Sequence, residues 1–365
     1  MKVAKGHSKR KAAPKAAKSK GAPMSAGIPT SKILKAQSSI NAVLDGQPVL
    51  DPENDIAPHP RDSDGDSFYI ISYLEGGGHK YTVLFHLMVI VKSLGTPVAQ
   101  LVISVFDETT REYFSRELNE YWLNNTTVVP AGLDITMPWG RLSGTIDQLN
   151  VEGHLADGAV KLDMKLTMAA RGPVLPNLVT GIIPFSDGID YEYALPRMET
   201  SGQLTIHGAK CDVKGWSWLD REWGRFGPSK WTWMNIQLEN GVQISLWDEQ
   251  INDSNPNSYV GGPRRFATIL NPDDGLIVAP VVIKELRNWI SPKTKRTYAT
   301  RWSVTIPERA ELTVELLKDD QEIVSAIGVN RIEGKARVSG TYGKEKVNGV
   351  TMVEMCDLFP LFQTL

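Results

Sequence analysis

Residues 191–250 read YEYALPRMETSGQLTIHGAKCDVKGWSWLDREWGRFGPSKWTWMNIQLENGVQISLWDEQ, and this stretch holds six of the chain's ten tryptophans. Successive side chains of an extended strand point to opposite faces. Trp216, Trp218, Asp220 and Glu222 therefore share one face, and Ser217, Leu219, Arg221 and Trp223 the other. The next run repeats the rhythm: Trp231, Trp233, Asn235 and Gln237 alternate with Met234, Ile236 and Leu238. After a turn at Glu239-Asn240-Gly241, Gln243, Ser245 and Trp247 alternate with Val242, Ile244 and Leu246. Three antiparallel strands are expected, each with an apolar face and an aromatic-polar face. Bulk water gives no reason for so many indoles on one side, so the aromatic-polar faces are expected to enclose a ligand.

Short alternating runs separated by turn residues fill the rest of the chain. Phe68 to Leu74 leads through Gly76-Gly77-Gly78 to Tyr81–Val91, and Leu101–Phe106, Leu142–Asn150, Val151–Leu155 and Val160–Met168 follow. Beyond the central stretch the same rhythm returns at 266–270, 276–285, 302–306, 312–316 and 335–342. Only Thr109 to Leu123 has a pattern compatible with a helix. No strand alternates with a long helix, which predicts an all-β chain built as antiparallel barrels or sandwiches. The Gly- and Pro-rich segment 171–190 reads as a crossing segment, a boundary or lid. The expected organisation is a disordered tail over 1–30, one β domain over 31–190 and a second over 191–365.

Charge is laid out unevenly. The first twenty residues carry eight Lys/Arg and no acid, leaving 32 basic against 42 acidic residues elsewhere. An acidic body excludes phosphate-backbone binding by the folded part, so no nucleic-acid partner is expected there. The tail reads as a solubilising leader or as a polybasic contact to an anionic membrane surface or to nucleic acid. It lacks the apolar core of a signal peptide. The two cysteines, Cys211 and Cys356, form no disulfide framework or zinc knuckle. A cytoplasmic location, with peripheral membrane contact through the tail as an open alternative, is the expectation.

Motif searches remove most chemistries. The six histidines have no HxxxH or HxH spacing. Asp62-Ser63-Asp64-Gly65-Asp66 resembles a calcium loop, but Tyr73 stands where the loop needs a bidentate Glu, which favours a solvated turn. Gly215-Trp216-Ser217-Trp218-Leu219 lacks the second glycine of a nucleophile elbow. No P-loop or GxGxxG is present, and the reading is of a cofactor-free site. What remains is Asp220 and Glu222 on one strand face among indoles. Burial disfavours ionisation and suits one of them to act as a general acid, while tryptophan faces shield a developing carbocation. The competing reading makes Asp220 or Glu222 the ion-pair partner of Arg197, Arg221 or Arg225.

The residues Tyr191-Glu192-Tyr193-Ala194-Leu195-Pro196-Arg197-Met198, Ser201-Gly202 with Leu204, and Gly215-Trp216-Ser217-Trp218-Leu219-Asp220-Arg221-Glu222-Trp223-Gly224 resemble the signatures of the AttH-like, carotenoid 1,2-hydratase lipocalin-like family. Trp231-Thr232-Trp233 with Gln237-Leu238 and Gly241 continues the resemblance, and Glu333-Gly334, Gly340, Gly349 and Glu354 follow its C-terminal pattern more loosely. The resemblance implies two lipocalin-like β-barrels side by side with a pocket for a hydrophobic ligand. It implies acid-catalysed addition of water to a double bond, with Asp220 as acid, Trp218 supporting it and an upstream pair at Tyr191 and Tyr193 positioning substrate or water. On this reading Glu222 tunes Asp220, and Trp216, Trp218, Trp231, Trp233, Asn235 and Trp247 line the pocket. The expected function is an enzyme acting on a polyene, terpenoid or polyketide by hydration, cyclisation or isomerisation. The alternative is a lipocalin-like carrier of a lipid or pigment.

Overall fold

The computed structural model describes residues 50–59, 63–90, 98–121, 127–128, 133–157, 160–185, 188–224, 229–251, 264–326 and 328–358. The basic tail over 1–30 lies outside the described residues. A single turn of helix, α1 (Pro52–Asp55), precedes the first sheet. That sheet contains β1 (Gly65–Gly76), β2 (His79–Ile90), β3 (Val98–Asp107), β4 (Glu112–Tyr121), β5 (Thr127–Val128), β6 (Leu133–Met137), β7 (Gly140–Thr145), β8 (Gln148–Asp157) and β9 (Val160–Ala169). Short β10 (Leu175–Pro176) and β11 (Ile182–Phe185) run along β12 (Gly188–Ile206), which turns at His207-Gly208 into β13 (Ala209–Gly224).

The second sheet contains β14 (Ser229–Leu238), β15 (Gln243–Ile251), β16 (Arg265–Asn271), β17 (Gly275–Pro280), β18 (Val282–Ile290), β19 (Thr297–Ile306), β20 (Ala310–Leu316), β21 (Glu322–Ile323), β22 (Arg331–Tyr342) and β23 (Glu345–Asp357). The first sheet is 13-stranded, ordered β4-β3-β2-β1-β13-β12-β9-β8-β7-β6-β5, and the second is 10-stranded, ordered β17-β16-β15-β14-β23-β22-β20-β19-β18. The all-β, double lipocalin-like expectation holds.

Three readings change. The stretch expected as a helix from Thr109 to Leu123 is a strand over Glu112–Tyr121: β4 pairs with β3 from Val98–Tyr121 to Asp107–Glu112, so pairing overrides the helix-favouring Glu and Arg content, and residues 122–123 lie outside the described residues. β13 and β14 do not pair edge to edge but belong to different sheets. The chain changes sheets between Gly224 and Ser229, so residues 191–224 complete the first sheet instead of opening the second.

Each sheet curls round its own core. Phe68, Ile70, Phe85, Leu101, Leu195, Leu219 and Trp223 fill the first, and Met234, Ile236, Ile244, Trp302 and Val304 the second. A third buried cluster joins the backs of the two sheets: Tyr69, Ile71, Tyr73 and Trp218 from one meet Trp231, Trp233, Trp247, Phe266 and Met352 from the other. The aromatic-polar faces read from the sequence are the two sides of this seam. Strands with a core on each face carry almost no exposed residue, which is why Gly65 to Leu74 of β1 is buried throughout. Among the described residues no helix is long and apolar enough to cross a membrane.

Candidate active site

Strand register assembles the site as two facing rows. On the first sheet Tyr69 lies opposite His86 on β2 and opposite Asp220 on β13, and Asp220 lies opposite Ala194 on β12. On the second sheet Trp233 lies opposite Trp247 on β15 and opposite Glu354 on β23, and Glu354 lies opposite Glu333 on β22. The rows touch across the seam. The Tyr69 hydroxyl donates to Glu333 Oε2, and the Tyr69 ring meets the Trp233 ring edge-on at 5.3 Å. Trp218 meets Trp233 at 6.5 Å between centroids. Trp231 lies 6.4 Å from Trp247 and donates its Nε1–H to Glu354 Oε2 at 3.1 Å. One rung away, Glu222 lies opposite both Ser67 and Glu192.

Carboxyl groups dominate this seam, and burial pushes the pKa values of most of them up. Asp220 is 4% exposed; burial pushes its pKa well above the ordinary aspartate range, and the charges of Glu222 and Glu354 push the same way against the Trp218 indole N–H. Burial raises Glu222 to about 7. Asp190 and Glu192 are raised well above their ordinary values, burial first and neighbouring carboxylates second. Burial, then the Arg331 charge, holds the His86 imidazole neutral. Asp220 Oδ1, Glu222 Oε1, Glu192 Oε2 and His86 Nδ1 are buried with no hydrogen-bond partner among the described residues. Buried polar atoms are otherwise almost always satisfied, so orphans clustered this way mark a place where a polar reactant belongs.

The arginine of the Asp-Arg-Glu run serves a different purpose. Arg221 points into the first core, fully buried, with Nη1 2.5 Å from Asp66 Oδ1 and 3.2 Å from the Ser67 carbonyl. Its Nε donates to the Asp55 carbonyl at 3.0 Å and its Nη2 to the Ala57 carbonyl at 2.6 Å. Phe68 and Trp223 sandwich the guanidinium at 4.2 and 4.8 Å. Arg221 therefore pins the 51–59 segment, including α1, over the end of the first core. It uses Asp66, which removes that residue from any calcium loop, and leaves Asp220 and Glu222 without a basic partner on their own strand.

Of the residues expected in the site, Asp220, Glu222, Trp218, Trp231, Trp233 and Trp247 come together in the seam. Tyr191 and Tyr193 do not. They face the first core, Tyr191 stacked on Trp223 at 5.4 Å and Tyr193 donating to the Pro52 carbonyl at 3.3 Å. The cause is a β-bulge at Pro196-Arg197, where Arg197 has φ 60° and the β12–β13 register shifts. An unbroken ladder counted back from the Ile206–Ala209 pair sets Tyr193 opposite Glu222. The bulge moves Glu192 there instead, because a one-residue slip exchanges the two faces. Trp216 is half-buried at the rim, under the Arg197 guanidinium at 4.7 Å. Asn235 is committed to structure, its Oδ1 accepting from Tyr73 at 3.2 Å and from the Met352 amide at 2.7 Å.

Sequence reasoning missed Tyr69, His86, Glu192, Arg331, Glu333 and Glu354 as site residues. Glu192, Glu333 and Glu354 were visible only as parts of a family-like pattern; Tyr69, His86 and Arg331 carried no signal beyond that of strand residues. His86, Glu333 and Glu354 place three ligand-type atoms within 4.8 Å of one another. Glu333 already accepts from Tyr69 and from Arg331 Nε at 3.0 Å, and Glu354 from Trp231. The buried guanidinium supplies the positive charge there, a poor setting for a metal ion. A cavity of about 640 Å³ lies elsewhere, inside the curl of the second sheet, lined by Thr232, Tyr298, Trp302 and Met355 with Lys230 and Arg265.

Comparison with known proteins agrees with this architecture. The AttH-like family profile matches residues 103–357. The chain belongs to the AttH-like family. Kievitone hydratase of Fusarium solani subsp. phaseoli is 29% identical over 303 residues, 79% of this chain and 81% of that protein. Dehydratase asqC of Emericella nidulans is 27% identical over 150 residues, 42% of its length. The crystal structure of kievitone hydratase from Nectria haematococca superposes with a TM-score of 0.72 at 23% identity, covering 86% of this chain and 94% of that one. An AttH-like protein from Nitrosomonas europaea gives a TM-score of 0.72 at 18% identity, covering 86% and 98%. These AttH-like neighbours show the fold.

Proposed function

We propose that this AttH-like protein is a hydro-lyase of secondary metabolism that adds water to, or removes it from, a hydrophobic unsaturated substrate held in the seam between the two sheets. The single observation that carries this reading is Asp220: a buried carboxyl group beside Trp218 on the face of β13 turned to the aromatic seam, with no basic partner on its strand and one oxygen unpaired. A carboxylic acid kept neutral can protonate a carbon–carbon double bond. The resulting cation is shielded by indole faces and then captured by water. The reverse sequence expels water, and relatives named for a hydratase and a dehydratase fit one site run in either direction.

The test is an assay of the purified protein with kievitone and with extracts of its own host, reading substrate mass for the gain or loss of one water. The wild type converts a substrate and Asp220→Asn binds but does not convert it. Equal conversion by both proteins overturns the assignment. Binding without conversion by the wild type favours the carrier reading.

A further inference from the structure

We propose that the proton acceptor of this site is the Glu333–Glu354 pair on the second sheet, with Glu354 the member facing Asp220, so that acid and base are carried by different sheets. This rests on the hydro-lyase reading above. Glu354 stands at the centre of its row, between Trp233 and Glu333, and Trp231 fixes its Oε2 at 3.1 Å. Glu333 is held behind it from two directions, by the Tyr69 hydroxyl from the first sheet and by Arg331 Nε at 3.0 Å. Arg331 is itself anchored across the seam, with Nη1 3.4 Å from Glu117 Oε2. The ligand-type oxygens of Glu333 and Glu354 lie within 4.8 Å of each other and burial raises both groups, so the two share one proton more readily than they ionise together. A charge on Glu354 is felt at both Asp220 and Glu222.

The division of labour follows from surroundings. Asp220 Oδ1 has no donor to stabilise an anion, whereas on the opposite sheet Glu354 accepts from the Trp231 indole and Glu333 from the Tyr69 hydroxyl and the Arg331 guanidinium. Two carboxyl sites whose environments are pushed apart take acid and base roles respectively. In the addition direction the Asp220 O–H bond breaks as a C–H bond forms from the π electrons. A water oxygen then bonds to the adjacent cationic carbon and gives one proton to Glu354. Glu222, two residues from Asp220 on the same face of β13, returns that proton to Asp220. One water is consumed and the carboxyl groups end as they began. Glu333, Tyr69 and Arg331 are positioning residues for Glu354.

Three measurements decide this. In protein labelled with ¹³C-aspartate and no substrate, Glu354→Gln lowers the titration midpoint of the Asp220 carboxyl, because a neighbouring negative charge has been removed. An unmoved midpoint means no charge resides at Glu354 and overturns the proposal whatever the substrate proves to be. With a converted substrate in D₂O, Glu354→Gln loses product formation about 10²–10⁴-fold yet still carries deuterium into recovered substrate, since Asp220 continues to protonate carbon. Asp220→Asn does neither. A Glu354→Gln protein that makes product at the wild-type rate, or one that is folded yet loses exchange along with turnover, contradicts the proposal. Tyr69→Phe moves the acid limb of the pH–rate profile upward, a shift that a structural role alone does not produce. Failure of the wild type to convert any substrate counts against the hydro-lyase reading and leaves the titration to judge Glu354.

Discussion

Asp220 and Arg221 are consecutive residues on opposite faces of β13: the carboxylate faces the seam and the guanidinium faces the first core, where it pairs with Asp66 at 2.5 Å. Charge that looks like a local ion pair in the sequence is thereby separated by a sheet. Arg221 is an organiser of the fold, and Asp220 keeps no basic partner on its own strand.

Removing the Arg221 side chain leaves Asp66 buried and uncompensated. Arg221→Ala is expected to destabilise the protein by about 3–5 kcal/mol, read as a lowered urea midpoint. Arg221→Lys recovers little of this, because an ammonium group cannot reach Asp55, Ala57, Ser67 and Asp66 together.

Stability is expected to fall as pH rises from the ordinary carboxylate range through neutrality. Asp190, Glu192, Asp220 and Glu222 have folded pKa values raised above their unfolded ones, so the folded state binds more protons in that window. Their stabilisation is complete below the unfolded values and is lost as pH passes the folded ones, about 7 for Glu222. Glu333 and Glu354, also raised by burial, act in the same direction, and His86, with a lowered folded pKa, acts the other way as pH rises toward its unfolded value. Urea unfolding across pH 5 to 8 checks the sign, and Asp220→Asn flattens the dependence.

Trp231→Phe keeps most of the ring contact with Trp247 but deletes the donor to Glu354 Oε2. Loss of a donor to the ionised form raises a carboxyl pKa. The acid limb of the pH–rate profile is expected to move up by about one unit or less, equivalent to about 1.4 kcal/mol, with the unfolding midpoint changed far less than in Arg221→Ala.

Tyr73 and Asn235 clamp the seam beside the site. Asn235→Ala leaves the Tyr73 hydroxyl and the Met352 amide without their shared acceptor. A loss of about 1–3 kcal/mol is expected for leaving such groups unsatisfied, measurable by thermal or urea unfolding.

The strand faces over 216–222 and 231–247 were legible because a period of two needs no partner to be read. What those faces meet was not legible. Indoles from β14 and β15 and carboxyls from β13 look like two sides of one barrel until the chain is seen to change sheets between Gly224 and Ser229. The bulge at Pro196-Arg197 exchanged Tyr193 for Glu192 on the Asp220 side, and nothing in local alternation records a one-residue insertion. Tyr69, His86 and Glu354 enter through pairing between strands distant in sequence, which no local pattern encodes.

The most direct measurement is the protonation state of the Asp220 carboxyl, followed by ¹³C NMR in aspartate-labelled protein and identified by its absence in Asp220→Asn. A carboxyl group that stays protonated well above the ordinary aspartate range is the expected result. One that titrates within that range is an ordinary surface-like carboxylate and contradicts an acid at this position.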